Sequence, residues 1–205
     1  MPDTLNNAIP PVSGVTGTTV PRLKLAQLPT PLQPLDRLSS QLGGPRIWVK
    51  RDDLTGSVLS GNKVRKLEFN LAQAMGEGCD TIISCGGIQS NHCRATALLC
   101  AQLGLKCHLV LRGSEPDVAD GNLLLDRLAG AEISFYAAAK YQRELENILH
   151  SLQAQYHQQA RKAFIIPTGA SDAIGVWGYV EACAELKQDF AEKGISCPGL
   201  GCECL

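Results

Sequence analysis

Two periods of apolar and polar positions alternate along the chain, and they predict strands that alternate with helices. Short apolar runs predict buried strands at residues 46–50, 81–85, 106–111, 132–136 and 164–166. Apolar residues spaced three or four positions apart predict amphipathic helices at residues 32–42, 64–75, 92–103, 121–128, 141–161 and 174–190. This order of elements is typical of an α/β protein whose helices cover a mostly parallel sheet.

The two ends of the chain lack this periodicity. Residues 1–20 are rich in Pro, Gly, Thr and Asn, and we interpret them as a flexible lead-in. Residues 194–205 are rich in Cys and Gly, at a point where an α/β chain would ordinarily continue into another strand. We therefore interpret them as an aberrant tail.

The chain contains nine cysteines, an odd number. Those inside apolar, regular segments are expected to be buried free thiols that pack as small hydrophobic groups, namely Cys79, Cys85, Cys93, Cys100 and Cys107. The tail adds Cys197, Cys202 and Cys204, with no nearby histidine to complete the four ligands that zinc prefers. We therefore expect no metal site.

Charge and hydropathy exclude several classes of partner. The 19 basic and 20 acidic residues give a net charge of −1, so no basic excess is available to bind nucleic acid. No apolar run approaches the roughly 20 residues that cross a bilayer, and the N-terminus lacks the pattern of a secretory signal. We therefore expect no membrane partner and a cytoplasmic location, with an organelle open as the alternative.

The first string with chemical potential is SGNKVRKLE at residues 60–68. A glycine before Lys63 allows a tight turn and leaves the amine accessible at a helix start. A lysine amine that is partly neutral can form a Schiff base with an aldehyde, and the charges of Arg65 and Lys66 would disfavour a further positive charge. The alternative is a solvated basic helix start.

The second string, SCGGIQSNH at residues 84–92, joins a predicted strand to a predicted helix. Ligands of open α/β sheets bind at the carboxyl ends of strands, and a helix N-terminus offers unpaired N–H groups to a carboxylate or phosphate. The glycines do not match the dinucleotide-binding pattern. The alternative is a plain turn capped by Ser90 or Asn91.

The third string, PTGAS at residues 167–171, is followed by GVWGY at 175–179 and also joins a strand to a helix. It can therefore face the same sheet edge as the second string. Capping of the next helix by Ser171 or Asp172 is the alternative.

Together these strings closely resemble the family of D-cysteine desulfhydrase and 1-aminocyclopropane-1-carboxylate (ACC) deaminase. The main matches are LSGNKVRKLEF at 59–69 and GGIQSNHCR at 86–94, and shorter ones are LPTPL at 28–32, KRDD at 50–53, GNLL at 121–124, IPTGAS at 166–171 and WGY at 177–179. The resemblance covers roughly residues 22–193. It implies an enzyme that uses pyridoxal 5′-phosphate (PLP), of the tryptophan-synthase-β type (fold type II), which is a three-layer α/β fold around a parallel sheet.

The resemblance also assigns roles to residues of this chain. It implies that Lys63 holds PLP as the internal aldimine and that Asn62, its neighbour in the G-N-K string, is a cofactor-binding residue. Ser90 takes a catalytic or substrate-binding role, and Asn91 contacts the 3′-oxygen of the cofactor ring. The N–H groups of residues 90–92, which include those of Ser90, Asn91 and His92, are implied to bind the substrate carboxylate.

The implied activity is that of a PLP-dependent lyase or deaminase acting on a small amino acid. We expect a D-cysteine desulfhydrase, which converts D-cysteine to pyruvate, ammonia and hydrogen sulfide. One alternative is ACC deaminase, which yields 2-oxobutanoate and ammonia, and the other is a non-catalytic truncated isoform. Full-length members of such a family are expected to be homodimers.

The resemblance stops near Gly194, and family members are longer than this chain. We therefore expect a C-terminally truncated member, with a complete small domain at residues 66–173 and an incomplete large domain. The large domain would contribute residues 21–65 and a returning helix at residues 174–193.

Overall fold

The computed structural model describes residues 20–196, and its elements alternate as the periodicity predicts. In this part of the chain the strands are β1 (Leu32–Pro34), β2 (Trp48–Lys50), β3 (Thr81–Gly87), β4 (Lys106–Arg112), β5 (Glu132–Tyr136) and β6 (Ala163–Ile166). The α-helices are α1 (Asp36–Leu42), α2 (Lys63–Gly76), α3 (Asn91–Leu103), α4 (Gly121–Leu128), α5 (Ala138–Gln158) and α6 (Trp177–Lys193). Short 3₁₀ turns lie at Asp52–Leu54 and Thr168–Ala170.

Strands β3 to β6 form a parallel sheet in the order β5-β4-β3-β6. On the central strand β3, Ile83 pairs with His108 of β4 and with Ile165 of β6, which defines the register. Because the carboxyl ends of parallel strands lie at one edge of a sheet, the segments that follow β3 and β6 are neighbours. The fold therefore brings the second and third strings together.

Helices cover both faces of this sheet and create two apolar cores. On one face α2, α3 and α4 pack their leucines against Ile82 and Leu109. On the other face α5 packs Ile148 against Ile83 and Val110. Successive residues of β3 enter opposite cores, as the two-residue period of a strand requires. The predicted three-layer α/β class is confirmed.

The first predicted helix is wrong over its first turn. Leu32–Pro34 forms β1, which pairs antiparallel with β2 so that Leu32 lies opposite Lys50, and α1 begins only at Asp36. Leu32 is buried, whereas Leu38 and Leu42 are 42% and 64% exposed. The leucine spacing therefore does not mark a buried helix face, and backbone pairing with β2 decides the conformation.

The remaining predicted helices are confirmed, and their ends shift by at most three residues. The predicted helix at 141–161 is α5, which spans Ala138–Gln158. The predicted helix at 174–190 is α6, which spans Trp177–Lys193. Its start is delayed because Asp172 Oδ1 accepts the N–H groups of Ile174 and Gly175, at 3.1 and 2.6 Å, and holds them in a turn.

Buried ion pairs tie the N-terminal segment and α6 to α2. Arg65, with only 1% of its side chain exposed, lies 2.7 Å from Asp52 and 2.8 Å from Glu185. Burial opposes its charge, but hydrogen bonds to both carboxylates raise the pKa of the guanidinium above its ordinary value. Glu68 is equally buried and pairs with Arg22 at 2.7 Å. Arg65 and Glu68 are each paired with an opposite charge, which offsets the cost of removing them from water.

The five cysteines predicted to be packing groups are buried and free, which confirms the prediction: Cys79, Cys85, Cys93, Cys100 and Cys107. Burial raises the pKa of the Cys93 thiol to about 12. Such a thiol is neutral at physiological pH and therefore unreactive.

Two sets of expectations concern the chain ends and the membrane. The proposed lead-in, up to residue 19, and the tail cysteines Cys197, Cys202 and Cys204 lie outside the described residues. Within residues 20–196, none of the helices combines the length and the apolar character that crossing a bilayer requires.

Candidate active site

Lys63 is the first residue of α2, and the loop before it is tightly turned. Gly61 has φ of +111°, a conformation that residues with side chains rarely adopt. The side chain of Asn62 lies between Lys63 and α6, because its Oδ1 accepts a 2.9 Å hydrogen bond from Lys63 Nζ and its Nδ2 donates a 2.7 Å bond to the Tyr179 hydroxyl. The Lys63 amine is therefore held at a defined position beside the helix start.

The segment between β3 and α3 is closely packed. A Cβ added to Gly86 would lie 2.7 Å from Cys93 Sγ and 2.8 Å from Ser90 Oγ, so only glycine fits there. Ser90 Oγ accepts a 3.2 Å hydrogen bond from the N–H of Cys93 and caps α3. The predicted cap is therefore present, and the first N–H groups of α3, including that of Asn91, have no carbonyl partner within the helix and can bind an anion.

The Asn91 side chain is exposed at the start of α3. Its Oδ1 accepts hydrogen bonds from Arg94 Nη1 at 3.2 Å and from Asn122 Nδ2 at 3.0 Å. Arg94 also donates a 2.6 Å bond to the carbonyl oxygen of Ser60. A single guanidinium thereby links the loop before Lys63 to the start of α3.

His92 points inward from α3 and is 3% exposed. Its Nε2 lies 2.8 Å from Ser84 Oγ, whose own proton is donated to the Ile166 carbonyl oxygen at 2.9 Å. Nε2 therefore carries the imidazole proton. Burial, together with the nearby charges of Lys63 and Lys66, lowers the His92 pKa to about 4. Because the side chain is turned into the core, the backbone N–H is the group that His92 offers to a ligand.

The turn after β6 approaches Lys63 from another side. Gly169 has φ of +68°, and a Cβ added there would lie 3.7 Å from Lys63 Cε. One helical turn after Lys63, Lys66 Nζ donates to the Gly169 carbonyl oxygen at 3.2 Å and to Ser171 Oγ at 3.0 Å. The three strings that the sequence singled out therefore meet around Lys63.

The sequence leads us to count Arg65 and Lys66 together as charges that disfavour a positive charge on Lys63, but the structure separates the two. Two positions along a helix correspond to a rotation of about 200°, so Arg65 points to the opposite side of α2, where it pairs with Asp52 and Glu185. Lys66 is the positive neighbour that remains on the side of Gly169.

A second polar cluster lies at the opposite edge of the sheet. His108 Nε2 lies 2.8 Å from Ser134 Oγ, its Nδ1 lies 2.8 Å from the Tyr156 hydroxyl, and that hydroxyl donates to Glu132 at 2.7 Å. The cluster borders a cavity of about 190 Å³, and burial lowers the His108 pKa. Glu132 is paired with Lys106 at 2.6 Å. These groups satisfy one another, which is the arrangement of a structural network under α5.

The local sequence patterns assign no role to three residues of the site, namely Arg94, Asn122 and Tyr179. Each lies inside a string that resembles the family, and this resemblance is a sequence signal that could have pointed to them. They reach the site through hydrogen bonds to residues more than 25 positions away in the sequence. A local sequence pattern does not contain such contacts.

Comparison with known proteins identifies the class to which this site belongs. The family model described as "Pyridoxal-phosphate dependent enzyme" matches residues 23–197. The match covers most of the chain, so the chain belongs to this family. The expected cofactor is therefore confirmed as that of the family.

Curated relatives and a solved structure agree with this assignment. The bifunctional D-cysteine desulfhydrase/1-aminocyclopropane-1-carboxylate deaminase, mitochondrial, of Arabidopsis thaliana is 43% identical over 81% of this chain and 43% of its own length. The D-cysteine desulfhydrase of Salmonella choleraesuis (strain SC-B67) is 42% identical over 85% of this chain and 54% of its own length. A crystal structure of an ACC deaminase homologue superposes with a TM-score of 0.75 and 39% identity, covering 82% of this chain and 50% of the other.

The chain thus spans about half the length of the curated relatives it matches. Within that half, the donor set fits PLP. Lys63 supplies an amine for the aldehyde, Gly169 leaves space beside Lys63 Cε where a larger residue would add atoms, and the start of α3 presents N–H groups. Lys63, Asn62 and Asn91 would hold the cofactor.

Proposed function

We propose that this chain belongs to a PLP-dependent lyase that acts on a small amino acid, with D-cysteine as the preferred substrate. D-Cysteine and water would give pyruvate, ammonia and hydrogen sulfide. The observation that carries the proposal is the meeting of three strings around Lys63, seen in the bond from Arg94 to Ser60 and in the approach of Gly169 to Lys63. The desulfhydrase relatives support the choice of substrate.

Lys63 is the residue to which we assign the covalent and proton-transfer roles. When PLP is bound, it supplies an electron sink that stabilises negative charge at the carbon beside the substrate nitrogen. The Lys63 amine, once released by the amine of the substrate, would take the proton from that carbon. Asn62 Oδ1 supports this role because it holds Lys63 Nζ at 2.9 Å in a fixed direction.

The start of α3 is the proposed binding site for the substrate. The N–H groups of Asn91 and His92 and the positive end of the helix dipole would bind the substrate carboxylate. Ser90 would contact the substrate through its hydroxyl, which at present accepts the N–H of Cys93. Asn91 would contact the ring oxygen of the cofactor with its side chain.

ACC deaminase activity is the second candidate, because the Arabidopsis relative is named for both reactions and the superposed structure is an ACC deaminase homologue. In that reaction ACC and water would give 2-oxobutanoate and ammonia. The substrate-binding groups at the start of α3 would serve both substrates, since each is a small α-amino acid with a free carboxylate.

The test is a PLP titration of the purified chain, followed by the change in the cofactor's visible absorbance. Borohydride reduction and peptide mapping then locate the modified lysine. We expect saturable binding with the label on Lys63, loss of both in Lys63→Ala, and no change in Lys140→Ala, which alters an exposed lysine of α5. A label on another lysine would contradict the assignment, and absence of binding would support the non-catalytic alternative. Pyruvate and 2-oxobutanoate assays then separate the two substrates.

The domain division also forms part of the proposal, with residues 66–173 as a complete small domain. The parallel sheet β3–β6 lies wholly within this range, which supports it. Arg65 pairs with Asp52 and with Glu185 of α6, and this supports grouping residues 21–65 with residues 174–193. Limited proteolysis tests the division, since a stable core should retain residues 66–173.

Assembly and compartment complete the proposal. We infer from the resemblance that full-length members of the family are homodimers, and sedimentation velocity of a full-length member tests it. The expected cytoplasmic location is supported by the free thiols of the described cysteines. The Arabidopsis relative is named as mitochondrial, so a mitochondrial signal on cell fractionation would overturn the expectation.

A further inference from the structure

Arg94 lies at the centre of the hydrogen bonds that join two of the site strings. Its Nη2 donates a 2.6 Å bond to the Ser60 carbonyl oxygen, and its Nη1 donates to Oδ1 of Asn91 at 3.2 Å and of Asn122 at 3.1 Å. A guanidinium has only donors. Both carboxamides must therefore turn their oxygen, and not their nitrogen, toward Arg94.

Asn122 is locked by further bonds at the start of α4. Its Nδ2 donates to the Gln89 carbonyl oxygen at 2.8 Å and to Asn91 Oδ1 at 3.0 Å, and its backbone N–H donates to Gln89 Oε1 at 2.8 Å. Asn91 Oδ1 thus receives two donors from two different helices. A rotated Asn91 carboxamide would place its NH₂ group against both of these donors, which is unfavourable.

The NH₂ group of Asn91 is consequently left on the other side of the carboxamide, and the Asn91 side chain is exposed at the start of α3. We propose that Arg94 and Asn122 are positioning residues, which fix the Asn91 carboxamide so that it presents a hydrogen-bond donor to an acceptor oxygen of the ligand, namely the 3-oxygen of the PLP ring. This inference rests on the proposed function, which places PLP beside Asn91. It adds the residues that decide which end of the carboxamide faces the cofactor.

The first test needs no cofactor. In the unliganded chain, ¹⁵N relaxation of the Asn91 side-chain NH₂ group reports its motion, and Asn91→Asp assigns the signal. We expect a restricted group in the wild type and a mobile one in Asn122→Ala, because one of the two donors to Oδ1 is lost. Asn147→Ala, which removes an exposed asparagine of α5, is the matched control and leaves the motion unchanged.

The second test compares PLP with its 3-O-methyl ether, whose ring oxygen is uncharged and a poorer acceptor. We expect the wild type to bind PLP about tenfold more tightly than the ether, since hydrogen bonds to charged groups are the stronger ones. Asn122→Ala and Arg94→Met should bring this ratio toward one. Arg94→Lys should give an intermediate ratio, because one ammonium cannot reproduce the planar fork that reaches several oxygens.

The outcomes separate this inference from the proposed function. Equal NH₂ motion in wild type and Asn122→Ala overturns the inference even if PLP binds to Lys63. The inference is also overturned if Asn122→Ala and Arg94→Met both keep the wild-type ratio of affinities for PLP and its ether. A wild type that binds neither compound counts against the proposed function, and the relaxation measurement then decides the positioning role. Asn122→Ala provides the result should Arg94→Met fail to fold.

Discussion

Asn62 Nδ2 donates a 2.7 Å hydrogen bond to the hydroxyl of Tyr179, although the two residues are 117 positions apart. The same carboxamide accepts a 2.9 Å hydrogen bond from Lys63 Nζ through its Oδ1. Helix α6 therefore sets the position of the lysine amine through one intervening side chain. The geometry of the site depends on how α6 packs against α2.

Tyr179→Phe tests this dependence, because it removes the hydroxyl and keeps the ring. We expect PLP binding about threefold to tenfold weaker and a loss of about 1 kcal/mol in the free energy of unfolding, the net value of one hydrogen bond. Absorbance titration and denaturant unfolding measure the two effects. Tyr136→Phe is the control, since its ring can still contact Lys140. Equal affinity in wild type and Tyr179→Phe would contradict control of Lys63 by α6.

Gly178→Ala tests the packing of α6 against α2. A Cβ at Gly178 would lie 2.5 Å from the Arg65 carbonyl oxygen, so α6 must move away from α2 to accommodate it. We expect a loss of about 1–3 kcal/mol in the free energy of unfolding, the usual cost of overpacking. Gly76→Ala, at the end of α2 with open space around it, should be neutral or stabilising by up to about 1 kcal/mol. Similar unfolding midpoints for the two variants would show that the helices are not in close contact.

His92 should make the protein sensitive to acid. Burial lowers its pKa to about 4, whereas an unfolded histidine titrates near 6.5. Between these values the unfolded chain binds the proton and the folded chain does not. Stability therefore falls as the pH drops from about 6.5 toward 4, by about 2–3 kcal/mol in total.

Urea unfolding at a series of pH values measures this effect. His92→Gln should lose that part of the pH dependence, whereas His157→Gln, at an exposed position of α5, should keep it. A wild-type slope that persists unchanged in His92→Gln would rule out His92 as its source.

Asp126 should make the folded chain less stable as the pH rises, which is the opposite of the effect of His92. It is completely buried in α4, with no hydrogen-bond partner for either carboxylate oxygen among the described residues. Burial, only partly offset by the charge of Arg94, raises its pKa to about 7. Between about pH 4 and 7 the folded chain holds a proton that the unfolded chain has lost, so stability falls as the pH rises.

Asp126→Asn should therefore be more stable than the wild type at pH 8, by about 1–3 kcal/mol, and should show no such gain at pH 4. Unfolding curves at the two pH values measure the difference. Asp117→Asn, at an exposed position before α4, should change stability little at either pH. A gain for Asp126→Asn that is the same at both pH values would contradict a buried, titrating carboxyl group.

Local patterns predicted the parallel sheet and its helices because burial imposes the periods of two and 3.6 directly on the sequence. The prediction failed at Leu32, where the leucine spacing is helical but Leu32 pairs with Lys50 in a sheet. Sequence adjacency to Lys63 also does not reveal that Arg65 pairs with Asp52 and Glu185. In both cases a partner distant in sequence decides the conformation or the direction of the side chain.

The same distinction between local patterns and distant partners applies to the candidate site. Lys63, Ser90 and Asn91 could be singled out from their strings, because a glycine-flanked lysine and a polar helix start have recognisable local chemistry. The orientation of the Asn91 carboxamide could not, because it depends on donors from Arg94 and Asn122.

By itself, the sequence determined the α/β class, the order of the elements and the strings that carry the chemistry. These properties follow from local periodicity and from residue types at helix starts. Only the tertiary structure decided that the strings converge on Lys63, that Arg65 faces Asp52 and Glu185, and that Tyr179 holds Asn62. The reason is physical, since hydrogen bonds and ion pairs act over a few ångströms, and only the packing of α2, α3 and α6 brings these groups within that range.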